Sequence, residues 1–202
     1  QRLKRYYEHL KSIIDIRFGT TVTDIIVKKN QVCGVIINNK DKINANYVVF
    51  APGRDGSILL EEIMEKHNVE MHNNQVDIGV RVETSNIIME DINKNLYEGK
   101  LVLNTSVGTK VRTFCSNPSG HVVVENDHNV ILANGHAYHD PKFGSSNTNF
   151  ALLVSTVFKE PFNQPNEFAH SISSLANKLS CGTVIVQKYG DIKKGRRSTE
   201  KR

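Results

Sequence analysis

A cysteine, an arginine and a histidine carry most of the chemistry this sequence offers. Cys115 closes the run Arg112-Thr113-Phe114-Cys115, just ahead of a Ser-Asn-Pro-Ser-Gly turn at 116–120. A thiol there is a redox group or nucleophile if its environment favours the thiolate, and otherwise a small buried hydrophobe. Arg112, with its planar fork of donors, suits an anionic substrate, or simply solvent on an open strand face. His136 can give or take a proton near neutral pH. It lies close to His139 and Asp140, with His121 upstream. The H-x-x-x-H and HExxH helical spacings are absent and no carboxylate pair is suitably placed, so the spacing predicts no metal site. Asn147-Thr148-Asn149 offers amide hydrogen bonds to a bound polar group, or to its own turn.

The cysteines and charges narrow the setting. Cys33, Cys115 and Cys181 are far apart and odd in number, which argues against a disulfide framework and for a reducing, cytoplasmic compartment. The formal net charge of +5 on 202 residues suggests a nucleic-acid partner until it is located. Residues 188–202 hold seven basic and two acidic side chains, and positions 1–187 hold 19 of each sign. No aromatic platform or RNA-binding signature accompanies the basic end, so a solvated segment is the simpler reading and nucleic acid is not expected. No apolar run approaches the ~20 residues that span a bilayer, so no membrane partner is expected. The chain opens on Gln1 directly into a helical pattern, and both ends read as cuts through a longer protein.

The elements that must position these residues follow from periodicity. Leu3, Tyr6, Tyr7, Leu10, Ile13 and Ile14 mark one face of an amphipathic helix over 1–15. Val22–Val27, Val32–Ile37 and Ile43–Phe50, separated by short polar turns, predict a three-stranded antiparallel meander. Its last strand ends in the continuous apolar run Tyr47-Val48-Val49-Phe50, as expected in the middle of a sheet. After Ala51-Pro52-Gly53, Ser57 is placed to cap a helix whose inner face is Leu59, Leu60, Ile63, Met64 and His67. Beyond residue 76 the alternation Val76, Ile78, Val80, Val82 gives a half-buried strand. Further strands are expected at 100–104, 110–114, 121–125, 130–134, 150–158 and 183–187, with a helix after Pro165.

The order helix, meander, apolar strand, Ala-Pro-Gly turn resembles the middle of a flavoprotein FAD-binding domain, with Pro52 where Thr is usual. Asp77-Ile78-Gly79-Val80-Arg81-Val82-Glu83, Arg112 to Gly120, Asn134-Gly135-His136, Asn147 to Val154, Gly190-Asp191 and Gly195 to Thr199 together resemble the bacterial uncharacterised FAD-dependent dehydrogenase, or NAD(FAD)-utilising dehydrogenase, family. The resemblance spans nearly the whole chain. It implies an α/β to α+β fold: a partial Rossmann-like FAD-binding domain with a meander, plus a mostly β inserted substrate or cap domain with a few helices. Its domains would be 1–56, 57–187 and a basic, flexible terminal segment 188–202.

For the site, the resemblance implies backbone contacts from Thr21 and Val22 to the adenine end of FAD. Ala51, Pro52 and Gly53 would lie beside the cofactor, and Arg54 would face phosphate. Cys115 would face the isoalloxazine, with Arg112 orienting an anionic substrate and His136 donating a proton. No GxGxxG occurs in the 202 residues, and Gly190-Asp191 lacks the flanks of the family's ribityl-binding Gly-Asp. The expectation is therefore a central piece of an FAD-dependent oxidoreductase, inactive and binding FAD weakly or not at all by itself. Its partners would be an unidentified small-molecule substrate and the remaining segments of its own chain. NAD(P)H as electron donor stays open, because no second dinucleotide fingerprint is visible. The competing reading is a non-catalytic module that contacts RNA or an acidic partner through 188–202.

Overall fold

The computed structural model describes residues 2–159, 161–162 and 164–199. Gln1, and Glu200, Lys201 and Arg202 of the basic end, lie outside the described residues. The chain divides into two units, Gln1–Met71 and His72–Arg202. The fold is α+β, and every strand pairing among the described residues is antiparallel.

In the first unit, α1 (Arg2–Ile13) is followed by β1 (Val22–Lys28), β2 (Gln31–Ile37), β3 (Asp41–Asn44) and α2 (Ser57–Lys66). The strands form the expected meander in the order β1-β2-β3. Lys29 and Asn30 take φ of 48° and 62°, the two left-handed residues of the tight hairpin turn whose twist matches its strands. The helix α2 buries Ile63 and turns Leu59, Leu60, Met64 and His67 inward as its periodicity predicts. Ile25, Ile37 and Ile63 are the buried apolar side chains here.

Two expectations fail in this unit. The third strand stops at Asn44, and the run 47–50 is not a strand; Tyr47 and Val49 are 90% and 89% exposed. A strand needs a ladder neighbour to satisfy its backbone, and no neighbour reaches this segment among the described residues. Ser57 is the first helical residue and not the cap: its hydroxyl donates to Arg54 O at 2.8 Å, and Gly56 takes the N-cap position.

In the second unit, β4 (Val76–Ser85) pairs along its whole length with β9 (Asn147–Thr156). With β5 (Val102–Asn104) and β6 (Lys110–Asn117) they make a sheet of order β4-β9-β6-β5. The strands β7 (His121–Asp127) and β8 (Val130–His136) form a separate two-stranded ribbon. Among the described residues, α3 (Glu90–Asn95), α4 (Pro165–Leu179), α5 (Tyr189–Lys193) and a short 3-10 turn (Pro141–Phe143) complete the unit. Asn177 on α4 ties itself to β8, accepting from Ile131 N–H at 2.6 Å and donating to Ile131 O at 2.9 Å. The strand expected at 183–187 is irregular, because no ladder partner reaches it among the described residues. The segment after it closes on itself around Asp191, whose carboxylate accepts from Arg196 Nε at 2.6 Å and Ser198 Oγ at 2.8 Å. The chain contains no helix long and apolar enough to cross a membrane among the described residues.

Candidate functional site

The second unit gathers its chemistry-bearing residues at one end of the β4-β9-β6-β5 sheet, where β6 breaks register. Phe114 faces Ala151 but Asn117 faces Asn149, so β6 carries one residue more than β9 across this step. That is a β-bulge, and Cys115 within it sits at φ 50°, a left-handed conformation that non-glycine residues rarely adopt. Its backbone is held from both sides. The Cys115 N–H donates to Glu98 Oε1 at 2.8 Å, and its carbonyl accepts from Arg81 Nη2 at 3.0 Å and Asn117 Nδ2 at 2.9 Å.

Arg81 organises the cluster. Besides Cys115 O, it donates through Nε and Nη2 to Asn149 Oδ1 at 2.9 and 2.7 Å. No carboxylate lies within ion-pair distance of it among the described residues, so amide and carbonyl dipoles hold this guanidinium. Asn149 and its neighbour Thr148 are completely buried. Because Arg81 claims Asn149 Oδ1, the amide orientation is fixed, and Asn149 Nδ2 is buried without a hydrogen-bond partner. Ser116 Oγ is in the same position. Such groups cost about 1–3 kcal/mol each, and natural folds concentrate them where a polar group has work to do.

A second layer locks the loop after the bulge. Asn86 donates to Ser119 Oγ at 3.0 Å and Ser145 O at 3.2 Å, and accepts from Thr148 Oγ1 at 2.8 Å. Ser145 Oγ donates to Gly120 O. Gly135 on β8 closes the cluster from above: a Cβ there would stand 1.6 Å from Arg81 Nη2, 2.3 Å from Asn149 Oδ1 and 2.4 Å from Asn117 Nδ2. Only a glycine lets β8 lie across these side chains.

The candidate residues separate accordingly. Cys115 and Asn149 share this cluster. Arg112 does not: it pairs with Asp77 at 2.6 Å, which in turn accepts from Ser155, and it covers the Phe114 ring at 5.0 Å. That ion pair spans β9 from β6 to β4 and commits the guanidinium to the sheet. His136 ends β8 one residue after Gly135, and strand alternation sends its side chain to the opposite face of the ribbon. There it meets the Tyr138 ring at 4.9 Å. Among the described residues, neither unit by itself brings three His, Cys, Asp or Glu ligand atoms to one point.

In the first unit, Thr21 begins the meander with both backbone groups engaged by Asn38: its N–H donates to Asn38 Oδ1 at 3.0 Å and its carbonyl accepts from Asn38 N–H at 2.9 Å. Val22 pairs with Ile37. Ala51, Pro52 and Gly53 form an exposed turn. The close approach in this turn occurs at Gly56, where a Cβ would stand 2.3 Å from Pro52 Cβ; around Gly53 the space is open, and its φ of 68° is what calls for glycine. An open groove runs along Gln31, Val32, Cys33 and residues 44–48.

The polar anchor of this unit is Asp24, buried on β1. Its carboxylate accepts from Lys66 Nζ and meets His67 Nε2 at 2.7 Å, joining the end of α2 to the meander. Burial alone would push this carboxyl up, but the hydrogen bonds from Lys66, His67 and Ile25 N–H outweigh it and hold it at about 2.

Sequence periodicity did not single out Arg81, Asn86 or Asn117. Arg81 alternates with apolar residues on β4 and so reads as solvent-facing. Comparison of the chain with protein-family models and with curated proteins finds no match.

Proposed function

We propose that this chain is part of an FAD-dependent oxidoreductase, in which the first unit contributes to a split, Rossmann-like FAD-binding domain and the second shapes the substrate side of the flavin. The observation that carries the reading is the apolar run 47–50. It follows a complete meander, leads into Ala51-Pro52-Gly53, carries the exposed Tyr47 and Val49, and has no ladder partner among the described residues. Such a run is stable as the central strand of a sheet, and the order of elements around it resembles that in an FAD-binding domain. The Cys115 bulge with its Arg81, Asn117 and Asn149 supports is the end of the second unit that would face the reacting groups.

The residues present do not by themselves fit FAD. No GxGxxG turn occurs in the sequence to cradle a pyrophosphate, and Thr21 spends its backbone groups on Asn38. In flavoenzymes the cofactor supplies the electron chemistry and the protein supplies binding, orientation and electrostatics. The 202-residue chain is expected to purify without flavin absorbance, and the natural chain extended on both sides to retain FAD. An extended chain that stays colourless after incubation with FAD would sink the proposal.

A further inference from the structure

Helix α1 is left unused by the oxidoreductase reading, and none of its residues is buried. At 3.6 residues per turn, Leu3, Tyr6, Tyr7, Leu10, Ile13 and the following Ile14 share one arc of roughly 120°. Leu3 is 80% exposed and Ile13 64%, and Tyr6 and Ile14 are exposed as well. Ile14 continues the turn by donating its N–H to Leu10 O at 3.0 Å. The exposed Phe18 packs beside the helix, its ring centroid 6.1 Å from that of Tyr7. A contiguous apolar stripe left in water marks a contact surface.

The charges of α1 are arranged about that stripe. By helical periodicity Lys4 and Lys11 border it beyond Tyr7, and Arg2 borders it beyond Ile13, with Arg5 further round. Glu8, the one acid of the helix, stands on the far side. No acid lies within ion-pair distance of Arg2, Lys4, Arg5 or Lys11 among the described residues. Asp15, the next acid along, is paired with Arg17 at 2.8 Å. The four bases are therefore uncompensated positive charge, on stems long enough to lie along apolar surface and lift the charge above it. Tyr6 and Tyr7, near the two borders of the arc, combine an apolar ring with a hydroxyl that keeps its contact with water.

We propose that α1 lies in the headgroup plane of an anionic bilayer, with its Leu3–Ile13 stripe toward the acyl chains and Arg2, Lys4, Arg5 and Lys11 on the lipid phosphates. Bases on both flanks of an apolar stripe, with the acid confined to the opposite side, complement a plane that is apolar beneath and negatively charged all along its surface. An uncharged groove would cover the stripe and leave the four bases without partners. The lack of a helix able to cross a membrane bears on spanning, and a helix lying in the interface needs no such length. This contact lies beyond the oxidoreductase reading and does not rest on it.

The test is co-sedimentation with vesicles of phosphatidylcholine, alone or mixed with phosphatidylglycerol, using the 202-residue chain and the natural chain extended on both sides. Both chains are expected to bind the anionic vesicles about tenfold more tightly than the neutral ones and to be released by high salt. Leu3→Gln combined with Ile13→Gln, at exposed positions and with circular dichroism to check the fold, is expected to weaken binding about tenfold. Lys4→Gln combined with Lys11→Gln is expected to abolish the preference for anionic vesicles. Lys193→Gln combined with Lys194→Gln, in the basic end, is expected to leave binding unchanged. Equal binding to the two kinds of vesicle, or loss through Lys193 and Lys194 instead of α1, would overturn the proposal. So would an extended chain that stays in solution, which assigns the stripe to the rest of its own chain. A dimer that Leu3→Gln with Ile13→Gln dissociates, without vesicle binding, would assign the stripe to a second copy and overturn it equally. Flavin retention by the extended chain is read separately, so bilayer contact and flavin binding fail independently.

Discussion

Arg81 places two N–H groups on the one amide oxygen of Asn149, at 2.9 and 2.7 Å, across 68 residues of sequence. The third contact of the same guanidinium, to Cys115 O, ties the bulge to both strands. Removing the guanidinium strands a buried amide oxygen and a bulge carbonyl. Arg81→Met, which keeps the apolar stem, is expected to cost about 2–3 kcal/mol in urea unfolding of the second unit. Arg81→Lys should recover only part of this, because one ammonium cannot reproduce the fork. A loss below ~0.5 kcal/mol for Arg81→Met would mean that the cluster contributes little.

Gly135→Ala tests the closure above the cluster. The added methyl meets Arg81, Asn149 and Asn117 together, and Asn149 is fully buried and cannot swing away. Overpacking of this kind costs about 1–3 kcal/mol. In an Arg81→Met background the nearest obstruction is gone, so the same substitution should cost measurably less. Equal costs in the two backgrounds, read by a double-mutant cycle, would show that the three side chains do not share this space.

Asp24 makes the first unit acid-sensitive. Its folded-state pKa of about 2 lies below the 3.8 of a free carboxyl, so its stabilisation is complete above pH ~4 and is lost as the pH falls toward 2. The shift corresponds to about 2 kcal/mol. Asp24→Asn should remove that amount at pH 7 and flatten the acid limb of the stability curve between pH 5 and 2. Lys66 is 64% exposed, so high salt should weaken its part of the effect. An unchanged acid limb in the variant would refute this assignment.

Asp191 is expected to hold residues 187–199 together. Hydrogen bonds from Arg196 and Ser198 keep its carboxyl below the usual range, against burial, so the hold is complete above that range and released on acidification. Arg196→Ala or Asp191→Asn should raise amide exchange over 187–199 while leaving β4 and β9 protected. Unaltered exchange in both variants would show that the segment is ordered by something else.

The basic end is one patch in the sequence and several distinct environments in the fold. Its charge is plain in the sequence, but three of its members are not alike in the fold: Arg196 is spent on Asp191, Lys193 lies 5.9 Å from the Tyr189 ring, and Lys188 supplies its backbone N–H to Ser198. A count of lysines and arginines treats them as one patch.

What the sequence determined by itself is what depends on neighbours a few residues away. The helices after Gly56 and at Pro165–Leu179 and the three-stranded meander follow from periodicity and turn chemistry, because their hydrogen bonds close within one helix or one hairpin, whereas β4 pairs with distant β9 and its expected alternation breaks at exposed Val80 and half-buried Arg81. The tertiary structure alone decided two things. The first is which apolar runs become strands: 147–156 does, between β4 and β6, while 47–50 and 183–187, also rich in β-branched residues, have no ladder partner among the described residues. The second is the cluster itself, assembled from Arg81 on β4, Cys115 and Asn117 on β6, Gly135 on β8 and Asn149 on β9. A backbone or side-chain polar group must find a partner somewhere, but when that partner is tens of residues away, only the packed sheet fixes which one it finds.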